Sequence, residues 1–307
     1  MARKTKDPGF GYNSKKDAQS VINENGSSNV LHNNRKRNIN DLYTYFINLS
    51  TFKFILLIVF GYTVLNIFFG IIYVAIGIEQ ITTPQGSFLR DFLNGFFFSA
   101  QTLTTVGYGG ITPTGIAANF IAAFEAMIGL LSFSFITGML YGRYSKPKAN
   151  IEFSTNFIYR DFKNHKAMMF RLMNSRKTVM IEPEITVTLS VTEEDMSGYF
   201  KRNFYKLQLE RSEIMYLPTI WTIVHEVDEQ SPLFKYTKEE IKNLDAHLYI
   251  LINYHEESFS QKVYQINSYD FEDLMIDVKY VSASSFDTKG FTVLDHDKLS
   301  EVEKMEA

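Results

Sequence analysis

Residues 54–78 run for 25 positions without one charge. As a helix this stretch measures about 37 Å, more than the roughly 30 Å hydrocarbon core of a bilayer. Lys53 closes it on one side and Glu79 on the other. A second run, 115–142, carries the single charge Glu125 and is followed by Arg143, Lys146, Pro147 and Lys148. Helices buried in a soluble core rarely run this long without charge. The chain is therefore expected to span a membrane twice, with an outer helix at 54–78 and an inner helix at about 115–144.

The two ends of the 307-residue chain follow different rules. Up to Ala149 there are 13 Lys/Arg against 7 Asp/Glu, a net of +6; from Asn150 onward there are 18 against 27, a net of −9. Nine of the basic residues lie between Met1 and Lys53, three just after the second run, and Arg90 alone between the runs. Basic residues favour the cytoplasmic side, which puts both termini there. In "DLYTYFINLSTFKF" (41–54), Leu42, Tyr45, Phe46 and Leu49 recur at helical spacing. A slide helix at 41–53 along the inner membrane surface is expected, with a plain cytosolic lead-in as the alternative. Residues 1–40 are polar, lack the apolar core of a signal peptide and are expected as a flexible segment. There is no cysteine, hence no disulfide or thiolate chemistry.

The connector, 79–114, is too apolar for a solvated loop. "FLRDFLNGFFFSAQTL" predicts a short pore helix at about 88–102, followed by "TTVGYGG". Irregular backbone at membrane depth is tolerated where it is buried in protein or lines water, which describes a re-entrant loop. Gly107 and Gly109 can take backbone angles that other residues avoid. Alternating with Val106 and Tyr108, they can turn successive carbonyl oxygens one way, with the Thr105 hydroxyl adding an inner ring. Val106 and Tyr108 are expected to pack against the pore helix. The segment Thr105, Val106, Gly107, Tyr108, Gly109 matches the loop from which potassium channels build their selectivity filter. One loop cannot surround an ion, so a filter of this kind implies four chains about an axis.

After residue 150 two glycines remain, Gly198 and Gly290, so no GxGxxG nucleotide-binding loop is present. Short runs rich in β-branched and aromatic residues appear instead: 167–174, 184–191, 203–210, 246–254, 261–269 and 274–284. An all-β, immunoglobulin-like sandwich over 151–295 is expected, with a tail at 296–307. "TKEEIKNL" (237–244) reads as one short helix capped by Thr237 and Glu240. The six histidines show no metal-ligand spacing, and no Ser, His and Asp grouping suggests an enzyme.

"FFFSAQTLTTVGYG" (96–109), "RYSKPKA" (143–149), "MMFRLMNSRK" (168–177) and "WTIVHEVDEQSPLF" (221–234) resemble segments of inward-rectifier potassium channels. The likeness covers about residues 40–290. The filter exit "GYGGITP" is nearer the prokaryotic, KirBac-type branch, which would place the protein in a bacterial inner membrane. The resemblance implies a homotetramer conducting K+, with no cofactor, no nucleic-acid partner and a linker at 146–150 between pore and sandwich.

Several residues carry over. Phe133, Thr137 and Tyr141 share one helix face, and Tyr141 falls at the family's bundle-crossing gate; a lipid-facing aromatic is the alternative. Phe133 stands where strong rectifiers carry an acid, which implies weak rectification. Glu125, protonated or hydrogen-bonded to the pore loop, is expected to support the filter, with Gln101 and Thr104. The family's filter ion pair is absent, since Gln101 replaces its glutamate and Ile111 its basic partner. Lys53, Arg143, Lys146 and Lys148, with Arg35, Lys36 and Arg37 nearby, imply sensitivity to anionic phospholipids or phosphoinositides; headgroup anchoring is the alternative. Glu256 and Glu257 fall near the family's cytoplasmic vestibule, where acids concentrate cations, although a solvated acidic surface serves equally. His225 is expected in a structural hydrogen bond. The rival readings are a non-conducting two-span receptor with a sandwich sensor, and a potassium channel gated by a soluble ligand through an unrelated sandwich.

Overall fold

The computed structural model describes residues 4–16, 18–34, 36, 39–145, 147, 149–258 and 260–305. The chain forms two compact units, Asn34–Lys146, and Met1–Asn33 together with Pro147–Ala307.

The first unit holds four helices: α1 (Ile39–Asn48), α2 (Thr51–Ala75), α3 (Phe88–Leu103) and α4 (Ile116–Tyr144). Ser50 separates α1 from α2, because its hydroxyl caps α2 by accepting the Lys53 N–H. The slide helix therefore stops before the expected residue 53, and Lys53 lies in the first turn of α2. That helix ends at Ala75, three residues before the expected 78, and Gly77 follows with a φ of 100° that suits glycine. Helices α2 and α4 are both long and apolar enough to cross a bilayer.

Helix α3 is wedged between them at points where a side chain would not fit. A Cβ on Gly95 would sit 2.9 Å from the Gly70 carbonyl oxygen, and one on Gly129 would sit 2.1 Å from that of Leu103. Phe69, Tyr73, Phe98, Ala118 and Ala122 fill the shared core.

The second unit is a sandwich of two main sheets. The first contains β1 (Ile151–Phe153), β2 (Phe157–Phe162) and β3 (His165–Asn174). Next along the chain come β4 (Met180–Glu194), β5 (Phe200–Lys206), β6 (Tyr216–Leu217), β7 (Ile220–Val227), the short helix α5 (Lys238–Lys242), β8 (Ala246–Glu256) and β9 (Gln261–Asp270). Then follow β10 (Leu274–Ile276), β11 (Val278–Tyr280), β12 (Ser284–Phe286), β13 (Thr292–Leu294) and β14 (Val302–Lys304). In one sheet β3 pairs with β1, β2 and β7, and β10 joins β2 in parallel; in the other the order is β5-β4-β8-β9, with β6 on β4. Alternate residues Ile185, Val187, Leu189 and Val191 of β4 face Phe170, Leu172, Trp221 and Ile223 of the opposite sheet in one core. Thr237 and Glu240 make the expected capping box on α5.

Two expectations about the ends of the chain are corrected. Residues 5–14 of the polar N-terminal segment are not loose but lie on the sandwich. Thr5 N–H bonds Phe204 O at 2.9 Å, Arg202 N–H bonds Tyr12 O at 2.8 Å, and Ser14 N–H bonds Phe200 O at 3.1 Å. The segment covers the free edge of β5, and the Phe10 ring packs 4.5 Å from that of Tyr249. The expected tail at 296–307 supplies β14, which pairs with β11 and so belongs to the domain.

Candidate functional site

The glycine-rich loop follows directly from the end of α3. Left-handed angles recur at every second residue: Thr105 (φ 60°), Gly107 (φ 56°) and Gly109 (φ 80°). Such alternation turns successive carbonyls to one side, an arrangement that an ordinary strand does not give. The helix terminus anchors the loop, because the Val106 and Gly107 N–H groups both reach the Gln101 carbonyl, at 2.9 and 3.3 Å.

The Gln101 side chain spans the same loop. Its Oε1 accepts the Tyr108 N–H at 3.0 Å, and its Nε2 donates to Ile111 O at 3.5 Å. Both contacts of this side chain are those of a neutral amide. Thr104 turns its hydroxyl back to Ala100 O at 2.6 Å. Val106 and Tyr108 border an open groove with Tyr62 and the α3 residues Phe97, Ala100 and Gln101, and Tyr108 is 86% exposed. Tyr108 is tied to α3 through its backbone, and any cover for its ring comes from outside this chain.

Glu125 is fully buried and joins three helices. Tyr73 of α2 donates to its Oε2 at 2.6 Å. Ser99 of α3 touches its Oε1 and, at 2.9 Å, Asn66 Oδ1. Asn66 in turn donates to Tyr62 O at 2.7 Å. Sequence reading singled out Glu125 but missed Asn66, Tyr73 and Ser99. A signal was present, since positions 66 and 73 lie seven apart on one face of an otherwise apolar helix.

Phe133, Thr137 and Tyr141 are exposed on α4, with Thr137 Oγ1 donating to Phe133 O at 2.8 Å. Phe133 borders a hollow of about 580 Å³ together with Thr104 and Thr105, so the inner end of the loop and the upper α4 face open onto one space.

Of the four basic residues expected at the inner interface, Lys53 and Arg143 are described. Lys53 is exposed. Arg143 Nη1 donates to the Phe46 and Ile47 carbonyls at 3.0 and 2.8 Å, and its guanidinium lies 4.7 Å from the Phe54 ring centroid. It thereby satisfies carbonyls left over at the end of α1. Lys146, Lys148, Arg35 and Arg37 lie outside the described residues.

The expected vestibule position of Glu256 is corrected. Its side chain is buried and faces Arg176 Nη1 at 3.6 Å, whereas Glu257 in the following turn is exposed. His225 makes two hydrogen bonds, to Gln208 O at 2.7 Å and Ser231 Oγ at 2.8 Å. Burial pushes its pKa below the ordinary imidazole value. Among the described residues no group of three or more His, Asp or Glu is arranged to hold a metal ion.

Two spanning helices, a short helix wedged between them and a carbonyl-lined loop define a pore-loop membrane protein. Its β-rich unit specifies which kind. Residues 151–307 match the family described as the inward rectifier potassium channel C-terminal domain, and residues 54–145 match the ion channel family. The chain belongs to the inward rectifier potassium channel family, whose members are channels and not enzymes. It is 30% identical to the inward rectifier potassium channel Kirbac3.1 of Paramagnetospirillum magnetotacticum over 92% of this chain and 95% of that one. It is 25% identical to the G protein-activated inward rectifier potassium channel 2 of Mus musculus over 94% of this chain and 72% of that one. The human counterpart is 24% identical over 94% of this chain.

Proposed function

We propose that four copies assemble about an axis and pass K+ through stacked carbonyl rings of Thr105, Val106, Gly107, Tyr108 and Gly109. The alternating left-handed backbone of this loop carries the reading. Carbonyls turned to one side replace the water around a dehydrated ion, and four loops close the ring. The exposed Tyr108 ring is consistent with the same assembly, in which a neighbouring copy covers it.

Gln101, Thr104 and Glu125 brace the filter from the helix side. Phe133 and Thr137 line the cavity below it, and Tyr141 closes the pore at the inner end by steric block and dewetting. With Phe133 in the cavity, rectification is weak. Both termini face the cytoplasm of a bacterial cell, and Lys53, Lys146 and Lys148 meet anionic phospholipids or phosphoinositides there. Arg143 adds its charge to that surface while its donors hold α1.

Rubidium flux into liposomes, blocked by barium, tests the central claim. Tetramers that insert but carry no barium-sensitive flux sink it and favour a non-conducting receptor. Replacing Tyr141 with Ala should raise basal flux. Lys146→Gln with Lys148→Gln should flatten the response to anionic lipid, and an unchanged response removes the lipid reading.

A further inference from the structure

The polar cluster at the three-helix junction contains one hydrogen fewer than its contacts need. Asn66 fixes the count. Its Nδ2 donates to Tyr62 O at 2.7 Å, so its Oδ1 is the atom that faces Ser99 Oγ at 2.9 Å. An amide oxygen only accepts, and the single Ser99 hydroxyl hydrogen is therefore spent on Asn66. Ser99 Oγ also touches Glu125 Oε1. Two oxygens in such contact need a hydrogen between them, and Ser99 has none left. Nor can Tyr73 supply it, because its hydroxyl donates to the other carboxyl oxygen, Oε2, at 2.6 Å. The titratable group facing Glu125 is Tyr73, from α2; α3 contributes Ser99. Among the described residues Glu125 has no ion-pair partner of opposite charge.

We infer that Glu125 is a neutral carboxylic acid in the folded protein, and that its O–H is the link between the inner helix and Ser99 of the pore helix. Oε1–H donates to Ser99 Oγ, Ser99 Oγ–H donates to Asn66 Oδ1, and Tyr73 Oη–H donates to Glu125 Oε2. One relay thereby ties α2, α3 and α4 at Ser99, between one and two turns before Thr105. Loss of the proton would leave Ser99 Oγ and Oε1 facing each other as two acceptors. Glu125 is a positioning residue, acting on the filter through Ser99.

The test has two arms on the full-length tetramer in liposomes. Isotope-edited infrared spectroscopy of glutamate-labelled protein, with Glu125→Gln subtracted, reads the proton directly. The expected result is a protonated-carboxyl band assigned to Glu125 that persists from mildly acid to mildly alkaline pH. In Asn66→Leu the Ser99 hydrogen is released to serve Oε1, and the band should give way to carboxylate at alkaline pH. A carboxylate band in the unaltered protein, or no effect of Asn66→Leu, overturns the inference. Should Glu125→Gln fail to assemble, the Asn66→Leu comparison decides. The second arm rests on the conducting-pore reading. Glu125→Gln can donate and accept as the acid does and should keep barium-sensitive flux within about twofold, whereas Glu125→Leu should lose roughly tenfold. Equal loss in both variants overturns the relay, while absence of flux in the unaltered protein strikes the pore reading and leaves the infrared result standing.

Discussion

Gln101 accepts the Tyr108 N–H at 3.0 Å across the loop that links α3 to the filter exit. The same side chain reaches Ile111 O at 3.5 Å. One neutral amide therefore spans both limbs of the loop proposed as the filter, and no charge need be stabilised there. Replacing Gln101 with Leu deletes both bonds and strands a backbone N–H. The expected cost is about 1–3 kcal/mol in the conducting conformation. Rubidium flux should run down faster, and sodium permeability relative to potassium should rise. Gln101→Glu keeps the acceptor for Tyr108 but sets an oxygen against the Ile111 carbonyl, and should fall between the two.

Glycine tolerance in the inner helix should differ sharply between two sites. A Cβ at Gly129 would meet Leu103 O at 2.1 Å, whereas one at Gly138 would meet nothing within 4 Å in this chain. Gly129→Ala should push α4 off α3 and lower the yield of folded tetramer on gel filtration. Gly138→Ala should assemble normally, helped by roughly 1 kcal/mol of helix propensity.

The buried His225 makes a pH prediction. Its folded pKa lies below the ordinary imidazole value of about 6.5, with burial as the largest cause. Below that pH the unfolded chain binds a proton that the folded domain resists. The stabilisation is therefore complete above about pH 6.5 and lost as pH falls toward the folded value. Thermal unfolding midpoints of the full chain should decline over that window. His225→Asn should start lower and show less of the decline.

Glu256 is expected to act on stability and not on permeation. It is buried against Arg176, which keeps access to water at 32% exposure, so removing Glu256 costs about 1–3 kcal/mol. Glu256→Ala should lower the unfolding temperature by several degrees and leave magnesium block of the current unchanged. Glu257→Ala, at an exposed site, should not change the unfolding temperature.

Local chemistry made part of this architecture legible. The two spans announce themselves by length and absence of charge, and the Thr237–Glu240 capping box by spacing of three. The start of α3 was legible at Phe88. Contacts between distant segments were harder. Strand β8 runs two residues past its expected end at Tyr254, so Glu256 inherits the core-facing parity of Leu248, Ile250, Ile252 and Tyr254. Strand β7 shows alternation in Trp221 and Ile223, yet its place beside β3 depends on residues some fifty positions earlier. The partners of Glu125 lie 26 and 52 positions away, beyond the reach of any local pattern.

The N-terminal segment has a consequence for the order of synthesis. Lys4 bonds Asn203, 199 residues further along. Residues 4–14 are therefore made well before their partners and can find their place only once β5 and β8 exist. During that interval an apolar leader would have to avoid the membrane as well as other chains. A polar leader carrying a few aromatic anchors, Phe10 and Tyr12, can stay in water until its edge appears. Its composition is thus suited to waiting. A seam of the domain is thus closed by residues made about two hundred positions before the strand that they cover.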